Sequence, residues 1–259
     1  MIRMLDIFSL ENKIAIVTGS ARGIGQAYAV GLAEAGAQLV LVDLVEDNLK
    51  ETSQMILDKT GRESLCYGID VTDSSKIKFM IEEIIEKFGK IDILVNNAGI
   101  NKKIPFLDVT EEDWKKIVGT NLNSQFLMSS AVSKEMVKRK YGKIINMASV
   151  GGFMALSDTA PYNASKGGVL MLTKTMAADL SQYGLNINAI CPGFIDTGLL
   201  KDPIQKEVTV KKVMANTPLG RLGSASDLVG ACIYLASDAS NYVTGAQLVV
   251  DGGMSAVAM

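Results

Sequence analysis

The chain has 259 residues, 48% of them hydrophobic, and 26 Lys plus Arg against 28 Asp plus Glu give a formal net charge of −2. That is enough apolar material for one large α/β core, and so even a charge balance argues against a nucleic-acid surface, which needs a basic stripe. Histidine is absent, which excludes Ser-His-Asp and Cys-His nucleophilic chemistry, disfavours a catalytic zinc, and leaves proton transfer to Tyr, Lys, Asp, Glu or Cys.

The opening, MIRMLDIFSLENK, is charged throughout and has no signal-peptide core. Ile14–Thr18 reads as a first strand, followed by the glycine-rich turn VTGSARGIG and a helix over Gln26–Ala35. Gln38–Asp43 is a second strand whose apolar residues are nearly continuous, as in a parallel sheet covered on both faces. A helix over Glu46–Lys59 stops at Gly61, and Ser64–Ile69 is the third strand. Asp73 caps a helix that runs to Phe88 and ends at Gly89. Ile91–Val95 is the fourth strand and leads into Asn96-Asn97-Ala98-Gly99. Thr110 to Asp113 opens a long helical region reaching about Lys140, bent or broken near Gly119–Asn121.

Lys143–Met147 is the fifth strand, ending near Ser149. Pro161 suits the first turn of a helix to Tyr183, with Gly184 beyond it. Asn186–Ile190 is the sixth strand. Residues 194–219 are polar and proline-bounded and are expected to form a lid. Ser226-Asp227 begins a helix to Ala236, and Gln247–Val250 is the last strand. No linker, repeat or low-complexity tract divides the chain, so one α/β domain over 1–259 is expected: a doubly wound, Rossmann-type sheet of seven parallel strands flanked by helices. Cys66, Cys191 and Cys232 are an odd number in no metal-like spacing and read as reduced core residues of a cytoplasmic protein, with no metal site. No charge-free apolar run approaches the ~18 residues of a membrane span.

Chemistry concentrates at a few positions. Gly19, Gly23 and Gly25 form a strand-to-helix turn able to present N–H groups to a phosphate, although their G-x-x-x-G-x-G spacing is not the common G-x-G-x-x-G. Asp43 ends the second strand, where a carboxylate can accept both hydroxyls of an adenosine ribose and repel a 2′-phosphate; Arg22 pulls the other way. NAD is therefore expected over NADP. Tyr162 and Lys166 stand at i and i+4 on one helix face, where an ammonium lowers the tyrosine pKa toward the range of a neutral-pH acid/base.

TGSARGIG at Thr18–Gly25, NNAG at Asn96–Gly99, Ser149, YNASK at Tyr162–Lys166 and Pro192-Gly193, in this order along the whole chain, resemble the short-chain dehydrogenase/reductase family. The resemblance implies Tyr162 as the general acid/base, Lys166 as its modulator and a ligand of the nicotinamide ribose, and Ser149 against the substrate carbonyl. It implies Asn121 as the holder of a proton-relay water. It places Gly19, Arg22, Gly23, Ile24, Gly25, Asp43, Asp70, Val71, Asn97, Ala98, Gly99, Pro192, Gly193, Ile195 and Thr197 around the cofactor, and it implies a homotetramer.

The expected substrate is a small-molecule alcohol or ketone. LDIFSLENK, GINKKIPF and VDGGMSAV look like the gluconate 5-dehydrogenase branch, and Lys102, Lys103 and Lys201 are candidates to meet a sugar-acid carboxylate, or ordinary solvated loop lysines. Lys206, Lys211 and Lys212 add positive charge to the expected lid. A 3-oxoacyl-thioester reductase shares nearly all these motifs. A dinucleotide sensor on the same fold would lose the tyrosine or the lysine, and this chain keeps both.

Overall fold

The computed structural model describes residues 4–197, 210, 211 and 213–257. Its strands and helices alternate: β1 (Ile14–Thr18), α1 (Gly23–Glu34), β2 (Gln38–Asp43), α2 (Lys50–Thr60), β3 (Leu65–Gly68), α3 (Ser74–Phe88), β4 (Ile93–Asn96), α4 (Glu111–Val118), α5 (Ser124–Arg139), β5 (Gly142–Met147), α6 (Ala160–Leu180), β6 (Leu185–Pro192), α7 (Ser226–Ala236) and β7 (Gln247–Val250). The seven strands form one sheet in the order β3-β2-β1-β4-β5-β6-β7, and every neighbouring pair is parallel. This is the expected Rossmann-type sheet.

The near-continuous apolar strands are explained by burial on both faces. Ala15, Val17, Leu39 and Leu41 point into a core shared with α1, α2 and α7. Their alternates Ile14, Ile16, Val40 and Val42 point into a second core with α3, α5 and α6. Parallel strands need crossovers, and the helices that supply them cover both faces.

Local signals act as read. The Asp73 carboxylate accepts from the N–H groups of Ser75 and Lys76, and Thr110 Oγ1 accepts from Asp113 N–H. The helices end at Gly61, Gly89 and Gly184, or within one short turn of them. The break expected near Gly119–Asn121 is a π-helical turn over Gly119–Asn123 between α4 and α5. Such turns insert a residue into the helical ladder and redirect the side chains around it. Residues 46–49 form a 3-10 turn before α2, where one longer helix was expected. Helix α1 starts three residues earlier than its apolar pattern, because the glycine turn itself enters the helix.

Of the expected lid, residues 198–209 and 212, with Lys201, Lys206 and Lys212, lie outside the described residues. On either side of them, Ile195–Asp196 pairs in parallel with Gly223–Ser224. No helix among the described residues is long and apolar enough to cross a membrane.

Candidate active site

β1 and β4 are adjacent at the centre of the sheet, where successive connections turn to opposite sides and leave a crevice at the carboxyl ends of the strands. A cleft of about 920 Å³ opens there. Its glycine-turn end is built by backbone geometry. A Cβ on Gly25 would run into the Gly19 carbonyl oxygen, and Gly23, at φ +60°, would place one 3.5 Å from Thr197 across the cleft. The N-cap of α1 is Arg22, which makes no side-chain cap. An Arg has no acceptor to offer, so the first N–H groups of the helix remain for an anion in the cleft.

The turn is held against β4 through Thr18, whose hydroxyl accepts from the N–H groups of Asn97 and Ala98 at 3.0 Å each. Asn97 returns its amide to the carbonyls of Thr18 and Gly19. Asp43 lies at the same end. Its carboxylate accepts from Ala21 N–H at 3.1 Å and Leu44 N–H at 2.8 Å, which fixes it beside the turn. Arg22 is exposed nearby.

At the other end, β5 delivers Ser149 and α6 delivers Tyr162 and Lys166. Ser149 Oγ accepts from Gly151 N–H at 3.1 Å, leaving its own proton for the Tyr162 oxygen, to which it is hydrogen-bonded. Lys166 is buried and donates to the Met147 carbonyl at 2.6 Å, with Nζ 5.7 Å from the centre of the Tyr162 ring.

The electrostatics differ from the sequence expectation. Burial pushes the Tyr162 phenol above its usual pKa of 10, and the Ser149 hydrogen bond is what opposes the rise. Burial brings the Lys166 pKa down to about 8, and the ammonium gives one of its three N–H groups to Met147. Cys191, on β6, is raised to about 11 by burial and stays a thiol.

Every site residue expected from the sequence lines this cleft except Asn121. Asn121 is fully buried in the π turn. It accepts from Ile100 N–H at 2.7 Å, donates to Ile100 C=O at 2.8 Å and donates to Ser165 Oγ at 3.1 Å. It therefore clamps the loop after β4 to α6. Lys102 is paired with Asp113 at 2.8 Å, and neither it nor Lys103 lines the cleft. The cleft does take Lys115 and Lys116 from α4, which sequence reading missed: on a charged helix nothing marks which face meets a cavity.

A polar chain beneath the site was also missed. Asn96 donates to Ser129 and to Asn146, and Asn146 donates to Thr173. The available signal was asparagine following the apolar runs Ile93–Val95 and Ile144–Ile145 near the ends of β4 and β5. Among the described residues no group of acidic, Cys or His side chains could hold a metal ion.

A family profile described as enoyl-(acyl carrier protein) reductase matches residues 19–255. The 5-keto-D-gluconate 5-reductase of Escherichia coli is 38% identical over 251 residues, covering 97% of this chain and 98% of that protein. The 3-oxoacyl-[acyl-carrier-protein] reductase of Escherichia coli is also 38% identical, over 95% of this chain and 98% of its own. Among solved structures, a gluconate 5-dehydrogenase from Burkholderia cenocepacia, in complex with NADP and tartrate, superposes with a TM-score of 0.94 at 39% identity, covering 99% of this chain and all of that one. With the parallel sheet, the glycine turn and the Ser149–Tyr162–Lys166 cluster, these likenesses establish that the chain belongs to the short-chain dehydrogenase/reductase family and is a pyridine-nucleotide-dependent oxidoreductase acting on CH–OH groups.

Proposed function

We propose that the protein interconverts a secondary hydroxyl and a ketone on a sugar acid or a related polyol, in the manner of a gluconate 5-dehydrogenase. The observation that carries the chemistry is the convergence of Ser149, Tyr162 and Lys166 at the end of a cleft whose other end is the glycine turn. The nicotinamide, when bound, accepts or supplies the hydride. Tyr162 takes or returns the hydroxyl proton at its phenolic oxygen, and Ser149 orients the substrate oxygen beside it. Lys166 holds positive charge behind Tyr162 and offers its remaining N–H groups to the nicotinamide ribose. Asn121 keeps the loop carrying Gly99 and Ile100 in place.

Asp43 supports NAD(H) as the preferred cofactor. Fixed by two backbone N–H groups, its carboxylate cannot turn away from a 2′-phosphate without losing both bonds. Arg22, and the NADP carried by the Burkholderia cenocepacia enzyme, favour the alternative. The sugar-acid reading is supported by the names of the similar proteins and by Lys115 and Lys116 on the cleft wall, which would attract an anion.

We further propose a homotetramer, in which the exposed Trp114, Phe126 and Met171 of α4–α6 are covered. A second reading, a 3-oxoacyl-thioester reductase, has equal identity in its favour. The deciding assay gives purified protein gluconate with NAD, 5-ketogluconate with NADH, and an acetoacetyl thioester with NADH. Higher kcat/KM on the keto-acid is expected; higher kcat/KM on the thioester overturns the sugar-acid reading.

A further inference from the structure

The Met147 carbonyl closes β5 just where the catalytic cluster begins, and it accepts two donors. One is Lys166 Nζ at 2.6 Å. The other is Gln125 Nε2 at 3.2 Å, from the first turn of α5. Gln125 is 1% exposed, and among the described residues its amide oxygen has no hydrogen-bond partner. A buried amide with half its polar capacity unmet costs stability, and an apolar side chain of the same length would avoid that cost. Packing alone therefore does not account for a glutamine here. Its amide orientation is unambiguous, since a carbonyl can only accept and the NH₂ group must face Met147.

We propose that Gln125 is a positioning residue for Lys166: by occupying one side of the Met147 carbonyl it limits the hold of that carbonyl on the ammonium and aims the remaining ammonium protons into the cleft. This rests on the reading of Lys166 as the partner of Tyr162. Two donors on one oxygen share its electron density, and the partial positive charge of the amide N–H sits beside the ammonium, so each weakens the other. Both effects disfavour the protonated lysine and add to the burial that already brings it to about 8.

The titratable groups facing Lys166 are Tyr162 on its own helix and Cys191 on β6. From the π turn, from α5 and from the loop after β4 it faces the uncharged Asn121, Gln125 and Gly99. No carboxylate among these competes for control of its charge, so a neutral donor is able to matter.

The test is the pH profile of kcat for alcohol oxidation, with the KM for cofactor measured alongside. Gln125→Met keeps the length and removes the donor. The alkaline limb, where Lys166 loses its proton, is expected to move up by about 0.5–1 pH unit, with a several-fold rise in the KM for NAD as Lys166 is drawn back to Met147. Gln125→Leu, which also removes the donor without adding a charge, is expected to move the limb in the same direction and decides the matter if the methionine variant does not fold. An alkaline limb unmoved in the folded variant, whatever its melting temperature, overturns the role of Gln125. Lys166→Ala, run in parallel, separates the two ideas: full activity there overturns the reading of Lys166 itself, and with it this inference.

Discussion

Removal of the Asn121 amide discriminates most sharply between a structural clamp and a holder of catalytic water. In Asn121→Ala, the Ile100 N–H and C=O both lose their Asn121 partners, and Ser165 Oγ loses one donor while keeping its bond to the Tyr162 carbonyl. Ile100 is exposed to the cleft, so water can meet its freed groups, and each part-buried bond is worth about 0.5–1.5 kcal/mol net, roughly 2 kcal/mol for the pair. In a domain of this size each kcal/mol lowers the melting temperature by about 2–4 °C, which gives a fall of roughly 4–8 °C. Turnover should fall as well, because Ile100 and Gly99 line the cleft and lose their anchor. Asn121→Asp keeps an acceptor for Ile100 N–H but turns a second oxygen toward Ile100 C=O, so it should be intermediate. The assay pairs thermal melts with steady-state kinetics on the same preparations. A fall of less than about 2 °C accompanied by a hundredfold loss of turnover would refute the clamp and return Asn121 to a purely catalytic role.

Three further outcomes are expected. Tyr162→Phe should lower kcat by about 10²–10⁴ while cofactor binding, followed by nicotinamide fluorescence, is retained; near-normal turnover would remove Tyr162 from the proton-transfer role. Asp43→Ala should relax the preference for NAD over NADP with Arg22 left to meet the 2′-phosphate, and an unaltered protein whose kcat/KM already favours NADP would show that Arg22 outweighs Asp43. Lys143, buried near the amino end of β5, away from the cleft, and bonded to Asn186, Ser240 and Asn241, has its pKa brought down to about 8 by burial. Between about 8 and 10.5 the unfolded chain then binds more protons than the folded one, so this site's contribution to stability rises with pH across that window. The melting temperature of the parent should accordingly gain on that of Lys143→Met between pH 7 and pH 10, by up to about 2 kcal/mol of stability; a difference independent of pH would contradict the burial argument.

The alternation of strands and helices, the parallel sheet and the positions of the helix stops were legible in the sequence because they depend on short periods and single capping residues, such as Asp73, Thr110 and Gly89. So were the two halves of the site: a glycine turn followed by an acid one strand later, and a tyrosine one helical turn before a lysine, are both local patterns. What only the tertiary structure decided is which groups those residues meet. Thr18 reaches Asn97 across 79 positions because β1 and β4 are neighbours, and no local pattern states that adjacency. Asn121 spends its amide on Ile100 because a π turn rotates it inward. The sign of the Tyr162 shift was decided the same way: an i, i+4 spacing predicts attraction to an ammonium, whereas burial of both groups sets the phenol high and the lysine low. Spacing fixes proximity along a helix, but desolvation depends on everything packed around it, and that is known only once the sheet and its two helical layers are assembled.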